Sequence, residues 1–208
     1  MSQPFKAIIF DMGGVFIRTS SPQAARQELA NQYGMNVEAL IHTIFQSSIS
    51  IEAEKGAISR DELMKQLMQL FGEDEEKAQH FVQKFFSDDR EDIELVEYVR
   101  TLHPRYKLGL LSNAFQGTRE WMQDRFTFLS LFDVSYFSAE VGMRKPEEQF
   151  FRLILKQLQV EPSEVLFVDD FLENIQGAQR LGIQTVWYKD RDAAFAYLKS
   201  ILDTNDQE

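Results

Sequence analysis

Residues 5–16 read FKAIIFDMGGVF, and this stretch decides the fold. An unbroken apolar run from Ala7 to Phe10 ends on a lone carboxylate, Asp11, and then turns through Gly13 and Gly14. A continuous rather than alternating apolar run marks a strand covered on both faces, as in a parallel sheet. Three more runs have the same character: LGLLS at 108–112, VLFV at 165–168 and QTVWY at 184–188. Helical patterns at 117–129, 147–158 and 173–181 separate the last three, with a further short strand, VSYF, at 134–137. Alternating strands and helices predict a doubly wound α/β fold, whose ligands bind beyond the carboxyl ends of the strands at a topological switch point. The acids at strand ends are therefore the candidates for chemistry.

Residues 17–90 read differently, with helix signals and no convincing buried strand. Ser21-Pro22 is a helix start, Gly34 a stop after Tyr33, and Asn36 a cap for the next helix. Ser59 and Glu62 form a capping-box pattern, after which Leu63, Leu67, Leu70 and Phe71 recur at helical spacing. The expectation is a helical cap domain at 17–90, inserted in a core made of 1–16 and 91–208, with the tail DTNDQE frayed.

The bulk composition limits the function classes. A net charge of −11 disfavours a broad nucleic-acid surface and repels an anionic substrate unless a local cation, such as a divalent metal, offsets it. No apolar run approaches the roughly 20 residues of a membrane span, and MSQPFK leaves no room for a secretory signal before the first strand. The absence of cysteine removes disulfides and thiolate metal sites. The expected protein is cytoplasmic, with no nucleic-acid or membrane partner and no implied obligate protein partner.

Each predicted strand end carries a polar group: Asp11, then Ser112 and Asn113, then Asp169 and Asp170. Three carboxylates in one cleft repel one another, and Mg²⁺, which binds few carboxylates together with waters and phosphate oxygens, resolves the conflict. Ser112 can donate to a phosphoryl oxygen, backbone N–H groups near Gly13, Gly14 and Asn113 add donors, and Lys145 adds a point charge. Pro146 is expected at the start of the following helix. The ligand these groups suit is a phosphoryl group.

FDMGGV, LLSN, GMRKPE and FVDDFLENIQGAQRLG, in this order, resemble the four motifs of the haloacid dehalogenase superfamily. The likeness spans the chain, and the insertion point resembles the helical cap of subfamily I. GMRKPE with the last motif looks closest to bacterial sugar-phosphate phosphatases, including the glucose-1-phosphate phosphatase branch. The resemblance implies a Rossmann-like core and a small phosphorylated metabolite as substrate. It implies that Asp11 attacks phosphorus to form an aspartyl-phosphate. It implies Mg²⁺ on Asp11, the Gly13 carbonyl and Asp170, with Asp169 in or beside that shell.

One position departs from the pattern. Most phosphatases of the family carry a second acid where this chain has Gly13. General acid–base catalysis is worth about 10²–10⁴-fold, so its loss weakens turnover without abolishing it. A working phosphatase is the first expectation, a phospho-ligand-binding module of low or no turnover the second, and haloacid dehalogenation the third. Dehalogenation by this fold needs no metal and leaves the Asp169-Asp170 pair unexplained, and phosphomutase activity depends on the missing acid.

Several residues have plainer roles open to them. Asp11, Ser112 and Asn113 can be turn residues, and Asp169 can orient Lys145 instead of binding metal. Glu173 and Asn174 read as helix-start residues, with Asn174 near enough in sequence to orient the acids. In the insert, Glu54, Lys55 and Arg60 are candidate substrate contacts, although each reads first as a solvated helix residue. His42, His80 and His103 have no metal-site spacing. The phenylalanine pairs at 85–86 and 150–151, with Trp121 and Trp187, read as packing residues.

Overall fold

The computed structural model describes residues 5–20 and 23–203; the Ser21-Pro22 helix start and the tail from 204 lie outside the described residues. Along the chain run β1 (Ala7–Phe10), β2 (Ile17–Thr19), α1 (Ala24–Gln32), α2 (Val37–Gln46), α3 (Ser48–Glu54), α4 (Arg60–Leu70) and α5 (Ala78–Phe85). Then come β3 (Asp89–Glu91), α6 (Ile93–Leu102), β4 (Lys107–Ser112), α7 (Thr118–Gln123), β5 (Val134–Phe137) and α8 (Ser138–Val141). The chain closes with α9 (Glu148–Leu158), β6 (Val165–Asp169), α10 (Leu172–Arg180), β7 (Gln184–Trp187) and α11 (Arg191–Asp203).

The alternation of side chains along a strand explains why β1 is apolar throughout. Ile8 and Phe10 enter one core cluster with residues of α6 and α11, while Ala7 and Ile9 enter another with residues of α9 and α10. β4 and β6 divide in the same way, with Leu108, Leu110, Leu166 and Val168 on the first face and Leu111, Val165 and Phe167 on the second. The five-stranded sheet has the order β5-β4-β1-β6-β7, with every neighbouring pair parallel. The doubly wound α/β expectation is met. β1 lies in the middle because the chain first builds outward through β4 and β5, then crosses back to β6 and β7. This reversal is the switch point, and Asp11, Ser112 and Asp169 sit at the carboxyl ends of the three strands that meet there.

The segment between β1 and α6 has a core of its own, in which Leu29, Leu40, Leu63, Leu67, Phe81 and Phe85 are buried together. Asn36 caps α2 by accepting from the Ala39 N–H at 2.8 Å, and Ser59 caps α4 by accepting from Glu62 at 3.1 Å. The Glu62 carboxylate turns forward to Gln66 at 2.5 Å.

Two local expectations are corrected. The segment 17–90 contains strand β2 and the start of β3, which pair antiparallel where the chain leaves and re-enters the core. Their sequences, IRT and DRE, are too short and polar to stand out, and side chains hold them instead: Thr19 Oγ1 donates to Asp89 Oδ1 at 2.8 Å, and Arg26 pairs with the same oxygen at 2.7 Å. The helix expected at 117–129 ends at Gln123, followed by a 3₁₀ turn at Phe128–Leu131. Glu91 Oε1 accepts from the backbone of Thr127 and Phe128 at 2.9 Å each, and Phe128 stacks on Phe16 at 5.1 Å, which fixes that segment outside a helix. In addition, α9 begins at Glu148, two residues after Pro146.

Gly109 lets α9 approach the sheet, since a β-carbon there would lie 2.9 Å from Ile154 Cδ1 and 3.0 Å from Leu158 Cδ1. Gly109→Val should therefore lower the unfolding free energy by about 1–3 kcal/mol through overpacking. Urea denaturation checks this, and an unchanged midpoint would show that α9 accommodates the added methyls.

Candidate active site

The carboxyl ends of β1, β4 and β6 deliver their side chains to one place. Lys145, on the loop before α9, is buried, and its Nζ donates to Asp11 Oδ1 at 2.6 Å and to Asp169 Oδ2 at 2.7 Å. Asn113 holds that loop at both ends of its amide: Oδ1 accepts from Lys145 N–H at 2.8 Å and Nδ2 donates to the Lys145 carbonyl at 3.0 Å. Asp169 is held in turn by the Phe171 N–H at 2.8 Å and by Asn174 Nδ2 at 3.0 and 3.1 Å. Asp169 thus has partners on both oxygens and does not line the cavity above the strand ends, whereas Asp11 and Asp170 do.

Ligand atoms of Asp11, Asp169 and Asp170 all lie within 4.8 Å of one another. Asp170 Oδ1 is buried with no hydrogen-bond partner, a costly state for a carboxylate unless a cation joins it. Burial raises the Asp11 carboxyl to about 6, against the pull of Lys145 and with the push of Asp169. Burial, then the charges of Asp11 and Asp169, pushes Asp170 well above the usual carboxylate range. For Lys145 burial acts downward, but the two carboxylates it touches outweigh it and the ammonium is held above its ordinary value. The site carries more negative charge than Lys145 neutralises. Its all-oxygen donors and partnerless buried carboxylate fit a hard divalent cation.

The two glycines differ. Gly14 has φ +72°, and a β-carbon on it would lie 2.1 Å from Asp170 Oδ2, so no other residue allows the carboxylate this close. A β-carbon on Gly13 would meet nothing within 4 Å. Gly13 therefore leaves open space where the sequence pattern led one to look for an acid.

Ser112, buried at the end of β4, lines the cavity beside Asp11, Gly13, Gly14, Asn113 and Lys145. The candidates from the insert separate. Glu54 is buried and accepts from Arg144 Nε at 2.7 Å, Lys55 pairs with Glu147 at 2.5 Å, and Arg60 lines the cavity from an exposed position with no ion pair among the described residues. Glu173 stands in the first turn of α10 on the cavity lining. Trp187 is not a packing residue: it is 42% exposed and its Nε1–H donates to the Asp170 carbonyl at 2.9 Å.

The cavity encloses about 640 Å³ between the strand ends and the helical insert. Phe85 is packed in the core of the insert as expected, whereas half-buried Trp121 and Phe86, expected only as packing, form part of the cavity wall, as does Arg144. Lining gives no periodic signal of its own, because a residue on a buried helical face and one facing an internal cavity have the same spacing.

The profile of the haloacid dehalogenase-like hydrolases matches residues 5–182. The chain belongs to this family. It is 30% identical over 190 residues to the D-ribitol-5-phosphate phosphatase of Bacteroides thetaiotaomicron, covering 86% of this chain and 90% of that one. It is 29% identical over 203 residues to a sesquiterpene phosphatase of Aspergillus oryzae, covering 97% and 99%. Among solved structures, a family enzyme from B. thetaiotaomicron in complex with magnesium and inorganic phosphate shares the fold, with a TM-score of 0.68, 23% identity and coverage of 87% and 92%. No helix among the described residues is long and apolar enough to cross a membrane.

Since burial raises the folded Asp11 carboxyl to about 6, while an aspartate in an unfolded chain titrates at about 3.9, the metal-free protein should lose stability as pH rises between these values. Asp11→Asn should flatten that slope in thermal melts. Asp170→Asn should raise the melting temperature of the metal-free protein at neutral pH and abolish the upward shift that Mg²⁺ gives the wild type. A Mg²⁺ shift retained in Asp170→Asn would move the ligand role elsewhere.

Proposed function

We propose that the protein is a Mg²⁺-dependent phosphatase that hydrolyses a small phosphomonoester through an aspartyl-phosphate on Asp11. The observation that carries this reading is the pairing of Asp11 with buried Lys145 beside Asp170, whose inner oxygen has no partner. The relatives named as ribitol-phosphate and sesquiterpene phosphatases support the phosphomonoester class.

In this reading Asp11, the Gly13 carbonyl and Asp170 hold Mg²⁺, which supplies charge neutralisation for the phosphoryl oxygens. Lys145 adds its fixed positive charge and holds Asp11 in line, Ser112 donates its hydroxyl hydrogen to a phosphoryl oxygen, and the N–H groups around Gly14 and Asn113 offer further donors. An Asp11 oxygen attacks phosphorus as the ester P–O bond breaks, and the leaving alkoxide takes its proton from water, since Gly13 has none to give. Water then attacks the aspartyl-phosphate, phosphate departs, and Asp11 is regenerated. Asp169 serves as a positioning residue that orients Lys145, with Asn174 and the Phe171 N–H fixing Asp169 in turn. The chain works as a core of 1–16 and 91–208 with a cap of 17–90 closing the cavity.

Phosphate release from p-nitrophenyl phosphate, whose leaving group needs no general acid, should depend on Mg²⁺ and fall to background in Asp11→Asn. A β-carbon on Gly13 meets nothing within 4 Å, and Gly13→Asp should speed hydrolysis of alkyl phosphates by at least about 10²-fold. Full activity in Asp11→Asn would overturn the nucleophile assignment. Mg²⁺ binding without any release would favour a phospho-ligand-binding module.

A further inference from the structure

We propose that the substrate's leaving group is an apolar alcohol, so that the protein takes hydrocarbon monophosphates in preference to sugar phosphates. This rests on the phosphatase reading above and concerns the other half of the substrate.

The cavity over Asp11 has a continuous aromatic wall. Between ring centres, Phe45 of α2 lies 6.5 Å from Phe86, and Phe86 lies 5.5 Å from Trp121 of α7, with buried Phe85 behind them 5.8 Å from Phe45. Phe45 also stacks on Phe115, in the loop after β4, at 6.1 Å with the rings 7° from parallel. The wall therefore runs from the helical insert to the sheet domain without a break. Ile41 and Met64 of the insert also line the cavity, both half-buried. Apolar surface facing 640 Å³ of open volume gains free energy only when an apolar group covers it.

A sugar needs free donors and acceptors around its hydroxyls, and most inner polar groups of the cavity are already engaged. Arg26 and Thr19 bind Asp89, Arg144 binds Glu54, and Asn113 binds the Lys145 backbone. Of the polar lining side chains without such partners, Gln46, Arg60, Gln116 and Glu173 are exposed, which places them towards solvent, so the half-buried Thr118 hydroxyl and the outer nitrogens of Arg144 are the few inner donors that face the aromatic wall. A polyol pushed against the aromatic wall leaves its hydroxyls unsatisfied, at a cost that hydrocarbon does not incur.

The test is competitive inhibition of p-nitrophenyl phosphate hydrolysis by straight-chain alkylphosphonates from methyl to octyl, with ribitol 5-phosphate alongside. The phosphonates keep the anionic head constant and carry no leaving oxygen, so the slope against chain length reports the cavity alone. The inhibition constant should fall about threefold to fourfold per methylene over the first several members. Met64→Gln should weaken the octyl compound more than the methyl one. Constants independent of chain length, or tighter binding of ribitol 5-phosphate than of octylphosphonate, would overturn the proposal. Should p-nitrophenyl phosphate not be hydrolysed, the phosphatase reading fails, and calorimetric titration of the same phosphonates in the presence of Mg²⁺ still decides this one.

Discussion

The structure depends on the contact between the Lys145 ammonium and the carboxylates of Asp11 and Asp169. Both acids are buried at the ends of central strands, and a buried charge stays in place only when it is paired. Much of the surrounding architecture keeps that pairing in register. The parallel sheet brings the ends of β1 and β6 side by side, Asn113 at the end of β4 clasps the backbone of Lys145, and Asn174 in the first turn of α10 steadies Asp169. Lys145 balances part of the negative charge. The remainder falls on Asp170, against the bare Cα of Gly14, and this surplus suits a divalent cation.

The helical insert is joined to this centre by charge and closes it with aromatic surface. Glu54 reaches Arg144, the residue directly before Lys145, and Lys55 reaches Glu147, so the insert grips the loop that carries the lysine from both sides. At the root of the insert, Arg26 and Thr19 meet on Asp89 across the β2–β3 ribbon. These contacts place the wall from Phe45 to Trp121 over the strand ends. Polar chemistry at the floor and apolar surface on the wall divide the substrate into a phosphoryl end and an organic end.

The central sheet was legible because two-faced burial leaves uninterrupted apolar runs, and the strand-end acids stood out as polar breaks in them. Ser112, Lys145 and Asp170 fell where the motif order placed them, because the sheet's parallel register brings distant strand ends together. The β2–β3 ribbon was hidden, since three-residue polar strands held by Arg26 and Thr19 have no periodic signature. Phe86 and Trp121 read as packing, like buried Phe85, because spacing alone does not tell a residue packed on its neighbours from one facing a void. For Asp169 the sequence left two readings open, metal ligand or partner of Lys145, and adjacent identical residues give no signal between them; in the structure Asp169 meets Lys145 while Asp170 lies against Gly14.

The most direct test of the account is to quench turnover of p-nitrophenyl phosphate in acid and map the phosphoryl group on the protein by peptide mass spectrometry. The account predicts the label on Asp11, abundant because Gly13 offers no base to hasten its hydrolysis. A label on any other residue, or turnover with none on the protein, would contradict it.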